Sequence, residues 1–140
     1  MRVILDTNVL LSGIFFSGVP YQILNAWRNG KLSLVVSAEI LDEYHRVGRR
    51  LSTKYPGVDP EPILTLVEVH TELVDSPSLD DSVCVDPTDD IFFACAVASR
   101  CSVIISGDKH LHQANGYRGI RVFSPREFVE AHFSQHTYPL

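Results

Sequence analysis

Short runs of β-branched and aliphatic residues alternate along this chain with segments whose apolar residues recur at helical spacing. The runs that predict buried strands are RVILD (2–6), LSLVVS (32–37), TELVD (71–75), SVIIS (102–106) and IRVFS (120–124). Strands that alternate with helices pair in parallel and bury both faces of their sheet. We therefore predict an α/β fold, a single domain with a roughly five-stranded parallel sheet flanked by helices on both faces.

The segments between these runs predict helices with recognisable ends. Pro20 suits the first turn of one helix and Gly30 its end, and Ser37 is predicted to cap the next helix. Thr88 or Asp89 is predicted to cap the most apolar helix. The predicted helices cover 20–30, 38–55, 63–70, 90–100 and 125–133, with a short one entered over 107–114.

The length and composition of the chain limit its class. The 140 residues suit one domain, predicted over 1–134, followed by a loosely held tail over 135–140. The content of 45% apolar and 21% charged residues is typical of a soluble protein, and no apolar stretch approaches the ~20 residues that cross a bilayer. The N-terminal run does not resemble a signal peptide. We expect no membrane association.

The cysteines and histidines do not predict a metal site of their own. Three cysteines occur without a CxxC pair, and they are expected to be reduced thiols in a cytoplasmic protein. His110 and His112 lie two residues apart without partner ligands and are expected to be surface residues instead of zinc ligands.

Acidic residues follow several of the predicted strands. Asp6 ends the first strand, Glu43 lies two turns into the helix after the second, Asp89 and Asp90 open the helix after the third, and Asp108 follows the fourth. Taken singly, each is ordinary as a strand end, an exposed helix residue, a helix cap or a turn residue. Because the carboxyl ends of parallel strands share one edge, we expect these side chains to converge there.

Such a group of carboxylates predicts a metal site. Several carboxylates brought together cannot all stay ionised without a cation. Oxygen ligands without cysteine or histidine favour Mg²⁺ or Mn²⁺ over zinc, and such a site suits phosphodiester hydrolysis.

The net charge of −5 argues mildly against binding nucleic acid by bulk electrostatics. Six acids belong to or adjoin the predicted site, and without them eleven acids face twelve basic residues. A nucleic-acid substrate is therefore not excluded. The six are Asp6, Glu43, Asp86, Asp89, Asp90 and Asp108.

Basic residues cluster on the helix that carries Glu43. They are candidates for contacts to backbone phosphates, although a solvated helix face explains each of them singly. The candidates are Arg46, Arg49, Arg50 and Lys54, to which Lys109, Arg118, Arg121 and Arg126 add.

Four segments in this order resemble a PIN domain: VILDTNVLLSG, SAEILDEYHRV, DPTDDIFFACAVA and VIISGDKHL. Their spacing is similar to that of the VapC-like group, the toxin components of bacterial and archaeal toxin–antitoxin systems. The resemblance extends from Arg2 to about Phe133. It implies a metal-dependent endoribonuclease that acts on RNA, has a small antitoxin protein as partner and forms a homodimer.

The resemblance also implies roles for individual residues. Asp89 is favoured as the third acid with Asp90 as an adjacent helper, an assignment left open by one residue. Thr7 stays open between backbone capping and support of the site. The implied catalytic acids are Asp6, Glu43, Asp89 and Asp108, the metal ligands Asp6, Asp89, Asp90 and Asp108, and the supporting residues Asn8 and Ser106.

Other functions compete with the nuclease. A catalytically silent module would use the same acidic cleft to bind RNA or a basic partner. A phosphatase of the haloacid-dehalogenase type would need an acid at position 8, where this chain has Asn8. The GxGxxG and Walker A motifs of nucleotide-binding domains are absent from the sequence.

Overall fold

The computed structural model describes residues 1–133, so the predicted tail over 135–140 lies outside the described residues. Its strands are β1 (Arg2–Leu5), β2 (Ser33–Val36), β3 (Glu72–Leu73), β4 (Val103–Ile105) and β5 (Arg121–Phe123). Its helices are α1 (Thr7–Phe15), α2 (Val19–Arg28), α3 (Ala38–Lys54), α4 (Glu61–Val69), α5 (Asp90–Ser99), α6 (Lys109–Gln113) and α7 (Pro125–His132). Short 3₁₀ turns cover Pro87–Asp89 and Tyr117–Gly119.

The five strands form one parallel sheet in the order β3-β2-β1-β4-β5, which confirms the predicted α/β fold. The chain winds outward from β1 to β3 through α1 to α4, and α5 then carries it across to β4. Because such crossovers are right-handed, helices that carry the chain in opposite directions cover opposite faces. The winding direction reverses between β1 and β4, where α/β sheets bind their ligands.

Helix α1 is not apparent from the sequence pattern, which shows only an apolar run after Asn8. Most of this helix is buried, including Val9, Leu10 and Leu11, so it lacks the polar face that makes helical periodicity visible. A Cβ at Gly13 would lie 2.9 Å from the Pro20 carbonyl oxygen, so glycine allows α1 and α2 to pack this closely.

Two other elements differ from their predicted form. Strand β3 has only two residues, both exposed, because it is the outermost strand and pairs with β2 alone. The Asp86 side chain caps the 3₁₀ turn by accepting the Thr88 amide, whereas Asp89 precedes α5 without a side-chain capping bond. Asp89, one of the two predicted residues, is therefore the N-cap residue of α5, although its side chain makes no capping bond.

All three cysteines are buried free thiols. Within residues 1–133 no single helix is long and apolar enough to cross a membrane. Helices α1 and α2 are long and apolar enough only when taken together, and they are bent by 91° relative to each other.

Candidate active site

Asp6 lies at the carboxyl edge of the sheet between the two central strands. Its amide donates to the Ile105 carbonyl at 3.0 Å, which continues the pairing of β1 with β4, and its side chain is only 5% exposed. The buried Ser106 hydroxyl donates to Asp6 Oδ2 at 2.7 Å and accepts the Asp108 amide at 2.9 Å. Ser106 thus joins the acids that follow β1 and β4, as expected for a supporting residue.

Glu43 reaches the same edge from α3. The Ser37 side chain caps this helix as predicted, accepting the Ile40 amide at 3.2 Å. The Thr7 hydroxyl donates to Glu43 Oε2. One residue further along α3, the fully buried Tyr44 hydroxyl donates to the Leu5 carbonyl at 2.6 Å. Two hydroxyl groups therefore tie α3 to the end of β1, where Asp6 lies.

Three of the four predicted catalytic acids occupy the residue that precedes a helix. Asp6 precedes α1, Asp89 precedes α5, and Asp108 precedes α6, where its side chain accepts the His110 amide at 2.9 Å. The positive end of a helix dipole stabilises a carboxylate there. The strand-to-helix connections thus determine where these acids lie.

Two of the four acids, Asp6 and Asp89, have a raised pKa. Burial is the main cause that raises the pKa of Asp6, and the charges of Asp108 and Glu43 raise it further, while the Ser106 hydroxyl acts against them. The pKa of Asp89 is raised to about 6, first by burial and then by neighbouring carboxylates. Those neighbours are Asp108, Asp86, Asp6 and Glu43 in decreasing order of effect. Burial and the neighbouring carboxylates therefore both disfavour the ionised forms of Asp6 and Asp89.

The donor chemistry of these acids fits a hard divalent cation, because all of them offer oxygen atoms and their repulsion would be relieved by positive charge. Across residues 1–133, however, no group of three or more acidic, histidine or cysteine side chains is arranged so that it could hold a metal ion as it stands. The four acids fit a metal ion by donor type and charge, but their side chains are not arranged around a common position for one.

The structure separates Asp90 from this group. Its carboxylate accepts the Cys84 amide at 2.7 Å and the Val83 amide at 3.2 Å, and so fixes the loop before α5. Asn8 lies in the first turn of α1 with an exposed side chain. The geometry therefore brings Asp89, and not its neighbour, into the group of four acids.

Four of the basic residues predicted to contact phosphates lie on the same helix as Glu43. Arg46 Nη2 lies 3.4 Å from Glu43 Oε1, and both residues line an open groove of about 640 Å³ together with Arg49 and Thr88. Arg50 is exposed on the same helix.

The remaining basic candidates lie on other elements. Lys109 is the exposed first residue of α6. The guanidinium groups of Arg118 and Arg121 lie over the rings of Tyr117 and Phe123 respectively. Arg126 is exposed in the first turn of α7.

Sequence reasoning missed three residues around the site. Thr7 was left unassigned, and Tyr44 has the spacing of an ordinary core residue. His112 was expected at the surface, but it is half-buried, and its Nε2–H donates to the Ser106 carbonyl at 2.6 Å. The only available signal was that Thr7 and Tyr44 each adjoin a candidate acid.

The comparison with known families agrees with this geometry. The sequence model of the PIN domain matches residues 2–110 of the 140, a range that contains all four acids. Among curated proteins, none matches the chain. PIN domains are in general nucleases and typically use divalent metal ions. Because the match covers most of the chain and the sheet has the expected five parallel strands, the chain belongs to the PIN domain family.

Proposed function

We propose that this protein is a Mg²⁺- or Mn²⁺-dependent endoribonuclease. The observation that carries the proposal is the placement of four acids at one edge of the sheet, where Ser106 links Asp6 to the Asp108 amide and Thr7 holds Glu43. Burial, followed by the charges of neighbouring carboxylates, raises the pKa of Asp89 there to about 6. Acids in this state favour a bound cation, and they lie where the winding of the sheet reverses.

Asp6, Asp89 and Asp108 would hold the metal ion, and Glu43 would complete the ligand set or orient the attacking water. When bound, the metal polarises the phosphoryl oxygen and helps to generate hydroxide at neutral pH. Asp90 is the less suitable ligand because backbone amides occupy its carboxylate.

The residues around these acids would keep them in position. Ser106 occupies one oxygen of Asp6, which restricts how that carboxylate presents its other oxygen. The Thr7 hydroxyl likewise holds one oxygen of Glu43. Arg46 and Arg49 line the adjoining groove and would contact the phosphates of RNA.

The same proposal extends to the biological setting. The order of the four sequence segments supports a toxin of a toxin–antitoxin pair, of the VapC-like group, with a small antitoxin protein as partner. The same resemblance supports a homodimer, and the three free thiols support a location in the cytoplasm. Co-expression with the product of a neighbouring small gene tests this part, because an antitoxin should restore growth and co-purify with the chain.

RNA cleavage tests the central proposal. Purified protein should cleave a labelled RNA with Mn²⁺, and EDTA should stop the reaction. Asp6→Asn should abolish cleavage, whereas Asp81→Asn, a change at an exposed acid in the loop before α5, should not. Robust cleavage by Asp6→Asn would show that the proposed site is not the active site.

A catalytically silent module that binds RNA or a partner is the second candidate. The observation in its favour is that, within the described 133 residues, no acidic group is arranged to hold a metal ion as it stands. Calorimetry distinguishes the two functions, because tight RNA binding without Mn²⁺ binding would support the silent module.

A further inference from the structure

An aromatic cluster with one exposed ring lies at the far ends of the two helices that leave the acidic site. Phe16 and Tyr55 directly follow α1 and α3, and their rings meet edge to face with centroids 5.2 Å apart. The buried Phe15 ring supports them at 6.2 Å from Tyr55. We call Phe16 and Tyr55 the aromatic platform. Phe16 is 47% exposed, so one face of its ring is open to solvent.

Helix geometry gives the distance of this platform from the site. Thr7, next to Asp6, begins α1, and Phe16 lies nine residues later, about 14 Å along the helix axis. Glu43 and Tyr55 are separated by about 18 Å along α3. A flexible polymer that passed through the site would reach the platform after a few monomer units.

Three of the four exposed cations on α3 form a line between the site and the platform. Arg46, Arg50 and Lys54 follow one another at intervals of four residues and so form one stripe, with steps of about 6 Å. The stripe begins beside Glu43, which pairs with Arg46, and ends where the Lys54 ammonium lies over the Tyr55 ring. We call these three residues the α3 stripe.

The order of these groups matches a single nucleic-acid strand. Proteins that hold single strands combine a line of cations along the phosphates with aromatic rings on which bases stack. Lys54 covers Tyr55, so the exposed ring of Phe16 is the surface available to a base. In a duplex the bases are stacked on each other and unavailable to the platform.

From these observations we propose that the α3 stripe and the aromatic platform bind the single-stranded part of the RNA substrate, with a base stacked on Phe16. This inference rests on the proposed ribonuclease function and adds to it a binding site for the strand that is remote from the chemistry. Phe16 is a binding residue and takes no part in the reaction.

Fluorescence anisotropy with a labelled 12-nucleotide RNA tests the proposal, in the Asp6→Asn background so that the strand stays intact. Phe16→Ala should weaken binding of the single strand by roughly tenfold or more, because a stacked base contributes that much. Binding of the same RNA as a duplex should not change. Phe16→Leu keeps an apolar contact with Tyr55 without an aromatic face, and it should weaken binding to a similar extent.

The matched control is Tyr21→Ala, which removes a comparably exposed aromatic ring (44%) from α2 and should leave binding unchanged. Salt dependence separates stacking from charge. Arg50→Ala and Lys54→Ala should each reduce the slope of log K against log salt concentration by about 0.7, and Phe16→Ala should leave the slope as it is.

Three outcomes overturn the inference. If Phe16→Ala and Phe16→Leu bind the single strand like the parent protein, the platform does not bind RNA. If they lose affinity only because a dimer dissociates on gel filtration, a second copy occupies the platform. If the parent protein cleaves RNA but the variants keep its KM, only this inference fails, whereas the absence of both cleavage and binding removes the proposed function as well.

Discussion

At the scale of single residues, two adjacent acids differ completely in their surroundings. Asp89 lies among other carboxylates and has a pKa of about 6, whereas Asp90 accepts two backbone amides. The helical turn at the start of α5 directs the two side chains to different neighbours. The sequence leaves the third acid open by one residue, and the structure favours Asp89.

This difference predicts opposite effects of two matched substitutions on the metal-free protein. A carboxyl group whose pKa rises on folding binds more protons in the folded state, so stability increases as the pH falls through about 6. The melting temperature should therefore rise as the pH is lowered from about 7.5 to about 5.5. Asp89→Asn should raise the melting temperature at neutral pH and flatten this dependence, as thermal scans at several pH values would show.

Asp90→Asn is the control, and it should lower the melting temperature at neutral pH because it removes one acceptor oxygen from the Val83 and Cys84 amides. The pKa values of Glu72, Asp86 and Glu127 are lowered by their hydrogen bonds, so they affect stability only at more acidic pH. A loss of stability in Asp89→Asn at neutral pH would contradict the conclusion that burial and neighbouring carboxylates raise the pKa of Asp89.

Ser106 provides the second prediction at this scale. Its hydroxyl is the buried donor to Asp6, and removing it leaves a buried charge with one hydrogen bond fewer. Ser106→Ala should destabilise the protein by about 1–3 kcal/mol in urea unfolding at neutral pH. It should also raise the pKa of Asp6, because the Ser106 hydrogen bond lowers it. Ser102→Ala, at the exposed serine that directly precedes β4, should have almost no effect.

At the scale of elements, α3 determines the position of Glu43 relative to Asp6. The cap by Ser37 fixes where the helix begins, and the Tyr44 hydroxyl fixes its distance from β1. The start of α3 follows from local sequence, as the successful prediction of its cap shows. The bond from Tyr44 to Leu5 joins residues 39 positions apart and has no local signal.

Tyr44→Phe tests this connection. The change keeps the ring in the core and leaves the Leu5 carbonyl without its donor, so it should cost about 1–2 kcal/mol of unfolding free energy. It should also reduce kcat for RNA cleavage more than it changes KM, because Glu43 would be held less firmly. Tyr21→Phe, which removes an exposed hydroxyl from α2, should change neither quantity. If Tyr44→Phe is destabilised but its kcat is unchanged, Tyr44 has a structural role only.

At the scale of the whole molecule, the winding of the sheet brings together acids from distant parts of the chain. Asp6 and Asp108 flank the position where the winding reverses, and α3 and α5 add Glu43 and Asp89 from the two sides. The resulting excess of negative charge predicts that divalent metal stabilises the folded protein. At a Mn²⁺ concentration one hundred times the dissociation constant, the gain should be about 2.7 kcal/mol.

Thermal scans with Mn²⁺ and with EDTA measure this gain. The melting temperature of the parent protein should rise with Mn²⁺ and return with the chelator. Asp6→Asn should lose most of the shift, and Asp81→Asn should retain it. An equal shift in all three proteins would mean that Mn²⁺ binds elsewhere.

Local sequence was sufficient for four of the five strands and for most helix starts, because burial patterns and helix caps depend on neighbouring residues. It did not reveal α1, whose burial removes the polar face that periodicity needs. The contacts from Thr7 to Glu43, from Tyr44 to Leu5 and from Ser106 to Asp6 cross 36, 39 and 100 residues. Contacts this distant in sequence exist only once the strands have paired, so the folded chain alone shows how the acids are held and how α3 connects them to the aromatic platform.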